Sequence, residues 1–132
     1  MSAEWAFQVA AVAALRPAVG GVPVYDGEAP ADAAFPYMVV GETVSSPWDT
    51  LDRPGQDIDL TVHVWTRAAG GSSATAECQR VLALIRTAVN RRRLEMDGFG
   101  RPLCTVAFQT SFPEPDGKTR HGVLRVRVRV RP

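Results

Sequence analysis

Residues 56–66 read QDIDLTVHVWT, and residues 121–131 read HGVLRVRVRVR. In both stretches apolar side chains occupy alternate positions, and polar or charged side chains occupy the positions between them. Successive side chains of a strand point to opposite faces of the sheet, so this alternation is typical of strands with one buried face. The two stretches therefore predict a sheet with one apolar face and one strongly charged face.

Shorter apolar runs between turn-forming residues predict further strands at residues 22–25, 36–44, 94–96 and 103–112. Strand periodicity also predicts which side chains share the apolar face in two of these strands. They are Met38, Val40 and Val44 in the first, and Cys104, Val106 and Phe108 in the second.

Two segments carry apolar residues at helical spacing. In residues 2–16, Trp5, Val9 and Val12 form the predicted apolar stripe, Ser2 is the candidate N-cap, and Pro17 ends the helix. The second helix starts from a cap at Ser72 or Ser73 and runs to about residue 91. Its predicted stripe consists of Ala74, Cys78, Val81, Leu82, Ile85 and Val89.

This order of elements predicts an α+β fold, in which two helices pack on one face of an antiparallel sheet. The chain has 132 residues, with 15 Lys plus Arg against 14 Asp plus Glu and a formal net charge of +1. That length predicts one domain over residues 1–132 with a core of its own. The neutral balance argues against a dedicated DNA-binding module, and two cysteines are too few for a disulfide-rich scaffold.

The longest early apolar run, residues 5–15, is too short to span a bilayer and lacks the basic start of a signal peptide. We therefore expect a soluble, cytosolic protein. The histidines His63 and His121 have no nucleophile at a telling spacing, so we expect hydrogen bonding or packing on the polar face. Cys78 and Cys104 fall on apolar faces and are expected to be small buried residues.

The stretch GGSS at residues 70–73 lies between a strand and a helix, but it lacks the lysine and spacing of a phosphate-binding loop. A hinge followed by a helix cap is the better interpretation. No metal-ligand spacing occurs around the cysteines. The lack of any active-site signature favours an assembly protein over an enzyme.

Four arginines alternate along the last predicted strand and project from one face: Arg125, Arg127, Arg129 and Arg131. Asp57 and Asp59 occupy the polar face of the strand at residues 56–66. The arginines can form a basic surface for phosphate or for acidic groups of another subunit. They can equally pair with these aspartates across neighbouring strands, and both interpretations hold together if some arginines are left over.

Residues 45–55 read SSPWDTLDRPG and predict a long loop between two strands. Large aromatic residues on loops are often anchors in partner pockets. Trp48 is either such an anchor or folds back onto its own sheet, and the sequence leaves both open.

Four stretches carry a resemblance to a known family: VYDG (24–27), PADAAFPYMVVGE (30–42), LTVHVWTRAAG (60–70) and PDGKTRHGVLRVRV (115–128). The chain resembles the tail-completion or tail-terminator proteins of long-tailed phages and of phage-derived gene transfer agents. The resemblance spans nearly the whole chain. Residues 45–55 and 91–99 match no motif of that family.

The resemblance implies a ring, usually a hexamer, that caps the head-proximal end of the tail tube, stops its polymerisation and joins the tail to the neck. It implies an α+β fold related to tail-tube proteins, with no catalysis and no cofactor. The implied partners are further copies of the chain, the tail tube protein, a head–neck connector or stopper protein, and DNA that passes through the channel. No membrane is involved, and the protein would be assembled in the bacterial cytoplasm and reside in the virion.

Within such a ring, the expected subunit or channel interface consists of Asp57, Asp59, Arg125, Arg127 and Arg129. The residues expected to dock against an adjacent ring are Trp48, Asp49, Leu51 and Arg53. A connector or stopper ring is the alternative within the same particle. A small ligand-binding or enzymatic α+β domain is the more distant alternative.

Overall fold

The computed structural model describes residues 1–131 of the chain. Two helices and six strands follow one another along it. Their bounds are α1 Ala3–Ala18, β1 Val24–Asp26, β2 Tyr37–Pro47, β3 Gln56–Arg67, α2 Ala74–Val89, β4 Arg92–Arg93, β5 Leu103–Pro113 and β6 Thr119–Val130.

The strands form one sheet in the order β1-β2-β3-β6-β5-β4. The three-residue β1 runs parallel to β2, whereas every other neighbouring pair is antiparallel. The expected fold class is therefore right in its helices and sheet, but the sheet is mixed and not purely antiparallel. The parallel strand arises because the connection after β1 returns to the start of β2 instead of turning back tightly.

The central pair is β3 and β6, the two strands with the clearest alternation. They pair antiparallel through twelve register positions, from Gln56 opposite Val130 to Arg67 opposite Thr119. Most of one face of this pair is apolar and buried, with Ile58, Leu60, Val62, Val64, Leu124, Val126, Val128 and Val130 all at most 3% exposed. Polar side chains occupy only the two ends of that face, namely Gln56, Thr66 and Arg120. The apolar side chains form a continuous core with both helices.

The flanking strands β2 and β5 each contain a β-bulge, and the two bulges lie at the same height in the sheet. The register shifts between Gly41 and Thr43 in β2 and between Val106 and Phe108 in β5. Both shifts stand beside the rows in which Leu60 and Thr61 of β3 face β6. Because each bulge bends its strand and increases the local twist, the paired bulges curl the sheet along one line.

The bulges overturn two face assignments made from strict alternation. An extra residue reverses the direction of every side chain beyond it. Val44 therefore leaves the face of Met38 and Val40 and is 63% exposed. Phe108 likewise leaves the face of Cys104, lies opposite Arg125 and is 47% exposed.

Helix α1 starts as predicted, with the Ser2 side chain accepting a hydrogen bond from the Trp5 amide. The predicted stripe is right only at Val12, which is buried, whereas Trp5 and Val9 are 47% and 43% exposed. The helix buries mainly small side chains around Phe7, Val12 and Leu15, namely Ala3, Ala6, Ala10 and Ala11. Alanines let a helix approach its neighbours closely, and an argument from large residues alone misses that face.

Pro17 does not end α1 but lies within its last turn, which continues to Ala18. A proline removes only its own amide donor, and the Val19 amide still closes the turn on the Leu15 carbonyl at 3.1 Å. Helix α2 fits its prediction better. Ser73 is its N-cap, and Cys78, Val81, Leu82, Ile85 and Val89 are buried, whereas Ala74 is only half-buried.

The short strands also depart from the prediction. Strand β1 begins at Val24 and not at residue 22, and β4 comprises Arg92 and Arg93 instead of residues 94–96. Leu94 and Met96 point into the core from the loop that follows β4. None of the helices in residues 1–131 has the length and apolar character needed to cross a membrane.

Gly122 on β6 lies where α2 packs tightly against the sheet. A Cβ at this position would lie 2.8 Å from the Cys78 sulphur and 3.0 Å from Leu82 Cδ1. We predict that Gly122→Ala lowers the free energy of unfolding by about 1–3 kcal/mol through overpacking. Urea denaturation measures this. Gly41→Ala is the matched control, because its Cβ would meet only ordinary contacts at 3.7 Å, and equal losses in both variants would contradict the prediction.

Candidate functional site

The outward face of the sheet carries the predicted arginines and aspartates at the end where β3 begins. Asp57 stands opposite Arg129, and Asp59 stands opposite Arg127. Arg127 donates to both carboxylate oxygens of Asp59, from Nε at 2.8 Å and from Nη2 at 3.2 Å. Arg127 Nε also lies 3.4 Å from Asp57, and Arg129 Nε donates to Asp57 at 3.2 Å.

These contacts form a ladder of alternating charges within one chain, which we call the ion-pair ladder (Asp57, Asp59, Arg127 and Arg129). Both arginine side chains remain about half exposed, at 42% and 54%. Pairs this exposed stabilise a protein by at most about 1 kcal/mol each. The structure thus shows the intrachain pairing that the sequence left as one of two interpretations, and its main effect is to neutralise Arg127 and Arg129.

Arg125 continues the arginine row but has no carboxylate partner within residues 1–131. It faces Thr61 across the β3–β6 pair, and its guanidinium carbon lies 5.6 Å from the centre of the Phe108 ring. Its Nε is buried and finds no hydrogen-bond partner in the part of the chain that the structure describes. The arginine row therefore retains a cation beyond those that the aspartates neutralise.

The loop between β2 and β3 is shorter than predicted, because β2 extends to Pro47 and leaves residues 48–55. The Trp48 amide donates to the Gly55 carbonyl at 2.9 Å, and the Gly55 amide donates to Asp49 Oδ1 at 2.9 Å. A Cβ on Gly55 would lie 2.4 Å from the Trp48 carbonyl oxygen. Glycine is thus required where the two ends of the loop close.

Trp48 folds back onto its own chain. The Arg131 guanidinium lies 4.1 Å from the centre of the Trp48 ring, and that of Arg129 lies 5.7 Å from it. Trp48 is 36% exposed, whereas Leu51 at the tip of the loop is completely exposed. Arg131 also donates to the carbonyls of Arg53 and Pro54. The arginine row and the loop therefore form one continuous surface, with Leu51 as its free apolar side chain.

The other end of the outward face carries an aromatic row that sequence reasoning missed. Its members come from five neighbouring strands: Tyr25, Tyr37, Trp65, His121 and Phe112. Neighbouring rings are 4.5–6.0 Å apart between centroids. The signal was present in the alternation of His63 and Trp65 on the polar face, but only the register shows that the other rings join them.

His63 and His121 contact each other beside this row and each contacts a carboxylate. His63 Nδ1 lies 2.8 Å from His121 Nε2, and His63 Nε2 lies 2.8 Å from Glu42 Oε1. His121 Nδ1 lies 2.7 Å from Glu114 Oε1. The bulge in β2 places Glu42 here, in a backbone conformation with φ of 57°.

The three contacts that link Glu42, His63, His121 and Glu114 require a defined number of protons. Three hydrogen bonds need three protons, but two neutral imidazoles beside two carboxylates supply only two. With both imidazoles neutral, one of the three contacts therefore lacks a proton, and one further proton would supply it. A fourth proton would put two N–H groups against each other on the 2.8 Å contact.

The environment opposes charge on His121. Burial lowers the pKa of His121 below its ordinary value, and the neighbouring His63 lowers it further, although Glu114 acts in the opposite direction.

Asp116 fixes the turn that carries Glu114. Its carboxylate accepts hydrogen bonds from the Thr119 hydroxyl and from the Lys118 and Thr119 amides, which hold the pKa of Asp116 at about 2.

The remaining candidates from the sequence behave as buried or structural groups. Cys78 and Cys104 are both buried, and burial raises the pKa of both thiols, that of Cys104 to about 11. The Ser73 hydroxyl accepts a hydrogen bond from the Ala76 amide, so GGSS ends in a helix cap. Over residues 1–131 no group of three or more His, Cys, Asp or Glu side chains is arranged to hold a metal ion.

The lowered pKa of His121 predicts a pH-dependent stability. Because the unfolded chain binds this proton more readily, the stability is fully present above the ordinary histidine pKa of about 6.5 and is lost as the pH falls below it. Denaturation midpoints between pH 7.5 and about 5 measure the effect. His121→Phe keeps a ring between Trp65 and Phe112 and should flatten the profile, whereas an unchanged slope in this variant would contradict the assignment.

The chain is similar to known proteins both in sequence and in structure. The family described as "Tail completion protein gp17" matches residues 7–131. The tail completion protein gp17 of Bacillus phage SPP1 is 29% identical over 96 residues, which are 73% of this chain and 68% of that protein.

Two solved structures share the fold. A chain of the virion of a native gene transfer agent particle superposes with a TM-score of 0.82 at 22% identity, covering 99% of this chain and 98% of that one. The structure of bacteriophage SPP1 gp17 superposes with a TM-score of 0.59 at 24% identity, covering 96% and 89%. The resemblance that the sequence carries is confirmed, and the chain belongs to the tail completion protein gp17 family.

Proposed function

We propose that this protein is a structural component of a phage or gene transfer agent virion that forms a ring on the tail tube. The ring caps the head-proximal end of the tube, ends its elongation and joins the tail to the neck. Membership of the tail completion family supports the setting. The proposal of a ring rests on one observation: β2 and β5 lie toward opposite sides of one sheet, and each has an outer edge that is only partly paired with another strand.

Short strands cover only part of each side. Strand β1 pairs with Met38, Val39 and Val40 of β2, and β4 pairs with Leu103 and Cys104 of β5. Within residues 1–131, the rest of both strands has no neighbouring strand on its outer side. Bare strand edges invite pairing with another chain, and a closed ring occupies them all.

The strand directions favour head-to-tail pairing. From β2 through β3 and β6 to β5, each step is antiparallel, so β2 and β5 run in opposite directions. Copies related by rotation about an axis along the strands keep their directions. The β5 edge of one copy then meets the β2 edge of the next as an antiparallel pair, which supports a closed ring of identical subunits, proposed as a hexamer.

The charged face suits a channel that DNA must pass. Each phosphate contact adds salt-sensitive affinity, so a row of free arginines would retain DNA. In the ion-pair ladder, Asp57 and Asp59 already occupy the guanidinium groups of Arg127 and Arg129. We place this face, including Arg125, toward the channel or a subunit boundary, where it contacts DNA without holding it.

The loop at residues 48–55 suits contact with an adjacent ring, either the tail tube protein or a head–neck connector. Trp48 and Asp49 fix its shape, Arg53 offers its carbonyl to Arg131, and Leu51 is left exposed at the tip. No catalytic step and no cofactor enter this proposal. The buried Cys78 and Cys104, with their raised pKa, are poor nucleophiles.

Removing the aspartates of the ladder tests the channel face. We predict that Asp57→Asn with Asp59→Asn strengthens nonspecific DNA binding and steepens its salt dependence by about two phosphate contacts, because two arginines become free. Fluorescence anisotropy with duplex DNA over a salt series measures this. Glu28→Gln with Asp32→Asn removes the same charge elsewhere, and equal gains in both variants would refute a special role for the ladder.

Replacing the apolar tip of the loop tests ring docking. We predict that Leu51→Asp changes the free energy of unfolding by no more than about 0.5 kcal/mol but lowers the yield of joined particles in a strain lacking the native gene. Trp48→Ala is the comparison, since it also removes the packing against Arg131. Normal particle yield with Leu51→Asp would exclude the loop from docking.

Electron microscopy of the same strain separates the two ring functions. Overlong or unjoined tails support tail termination. Heads that leak DNA while tails keep their normal length support the alternative, a connector or stopper ring.

A further inference from the structure

Charge is strongly segregated along the chain, although its total is near zero. Residues 17–52 contain six carboxylates and no lysine or arginine. Residues 86–101 contain five arginines and two carboxylates. The fold carries these two segments to opposite sides of the sheet, because β1 and β4 are its two outermost strands.

The acidic edge lies on the β1 side. Asp26 is the last residue of β1, Glu28 and Asp32 lie in the connection to β2, and Glu42 lies in the bulge of β2. All four are exposed. Asp26 accepts a hydrogen bond from Gln8 and Glu42 contacts His63, but no arginine or lysine of residues 1–131 pairs with any of the four.

The arginine edge lies on the β4 side and consists of Arg86, Arg91, Arg92, Arg93 and Arg101, all exposed. Their hydrogen bonds go to neutral groups. Arg92 donates to the Thr87 carbonyl at 3.2 Å, and Arg93 donates to the Arg101 carbonyl at 3.0 Å. In the described part of the chain, none of the five lies within 4.0 Å of a carboxylate. The exposed Glu95 and Asp97 offset only part of this charge.

The two edges cannot neutralise each other within one molecule. Five strand spacings separate β1 from β4, and at about 4.8 Å each this is roughly 24 Å measured along the sheet. That distance is about three times the Debye length at physiological ionic strength. Each edge therefore carries an excess of one charge that the other edge does not neutralise, beside a partly bare strand.

From this arrangement we infer that the acidic edge of one copy binds the arginine edge of the next copy. A two-fold dimer through either edge would bring like charges together, because each edge would face its own counterpart. A head-to-tail contact brings opposite charges together at every boundary. The inference rests on the proposed ring, and it names the residues that set the order of subunits within it.

Two variants test the contact between the edges independently of whether a ring forms. Arg92→Glu with Arg93→Glu gives the arginine edge a net negative charge once Glu95 and Asp97 are counted, so both edges are acidic. Asp26→Arg with Glu28→Arg and Asp32→Arg gives the acidic edge a net positive charge even though Glu42 remains, so both edges are basic. Arg16→Glu with Lys118→Glu is the control for the first, since it changes the total charge equally at exposed positions outside both edges. All seven side chains are exposed, so the variants should fold, which circular dichroism and thermal unfolding verify.

The test uses particles made in a strain lacking the native gene, with the copies of this chain per particle counted by quantitative mass spectrometry. Each edge variant alone should be incorporated at least about tenfold less than the wild type, because like charges meet at every boundary. The two variants expressed together should restore incorporation in equal amounts, because acidic edges then meet basic edges. The control should match the wild type.

Two results would overturn the inference while leaving the ring in place: full incorporation of either edge variant alone, or no rescue when both are expressed. A wild-type count of one copy per particle, or none, would instead refute the proposed ring, and the edge contact with it.

Discussion

The antiparallel pairing of β3 with β6 is the constraint on which the other features depend. It runs through twelve positions, and along most of its length one face is apolar and buried while the other is largely polar or charged. A slip by one residue would turn Arg125, Arg127 and Arg129 toward the helices and expose Leu124, Val126 and Val128 to water. The register is therefore strongly specified, and it aligns both the buried core and the ion-pair ladder on opposite sides of the same two strands.

The two β-bulges lie in the flanking strands β2 and β5, where they do not disturb the pairing of β3 with β6. The bulges of β2 and β5 lie beside the same rows of the central strands, so they bend the sheet together. The bulges also determine which side chains lie on the outward face. The extra residue in each strand turns Val44 and Phe108 outward and brings Glu42 against His63. The curl divides that face into a charged end and an aromatic end.

Sequence periodicity correctly predicted the elements in which the same face is buried along the whole length. Strands β3 and β6 and the stripe of α2 follow from it, because each has one continuous buried face. It failed where one residue changes the geometry, at the two bulges, and where small side chains make the contact, as on the alanine face of α1. The pairing of Arg127 with Asp59 was foreseeable as an alternative, whereas the histidine pair and the aromatic row depend on a register that periodicity alone does not supply.

Stability alone does not account for the outward charges. Exposed ion pairs contribute at most about 1 kcal/mol each, and uncharged β-forming residues such as threonine would fill the same face. The arrangement distributes charge unevenly: Arg127 and Arg129 are neutralised within the ladder, whereas charges of opposite sign remain uncancelled at the two sides of the sheet. A monomer gains nothing from that pattern. In the proposed head-to-tail ring, the same side chains would give a largely neutralised wall and attractive boundaries, and on that proposal the near-zero total is a property of the assembly.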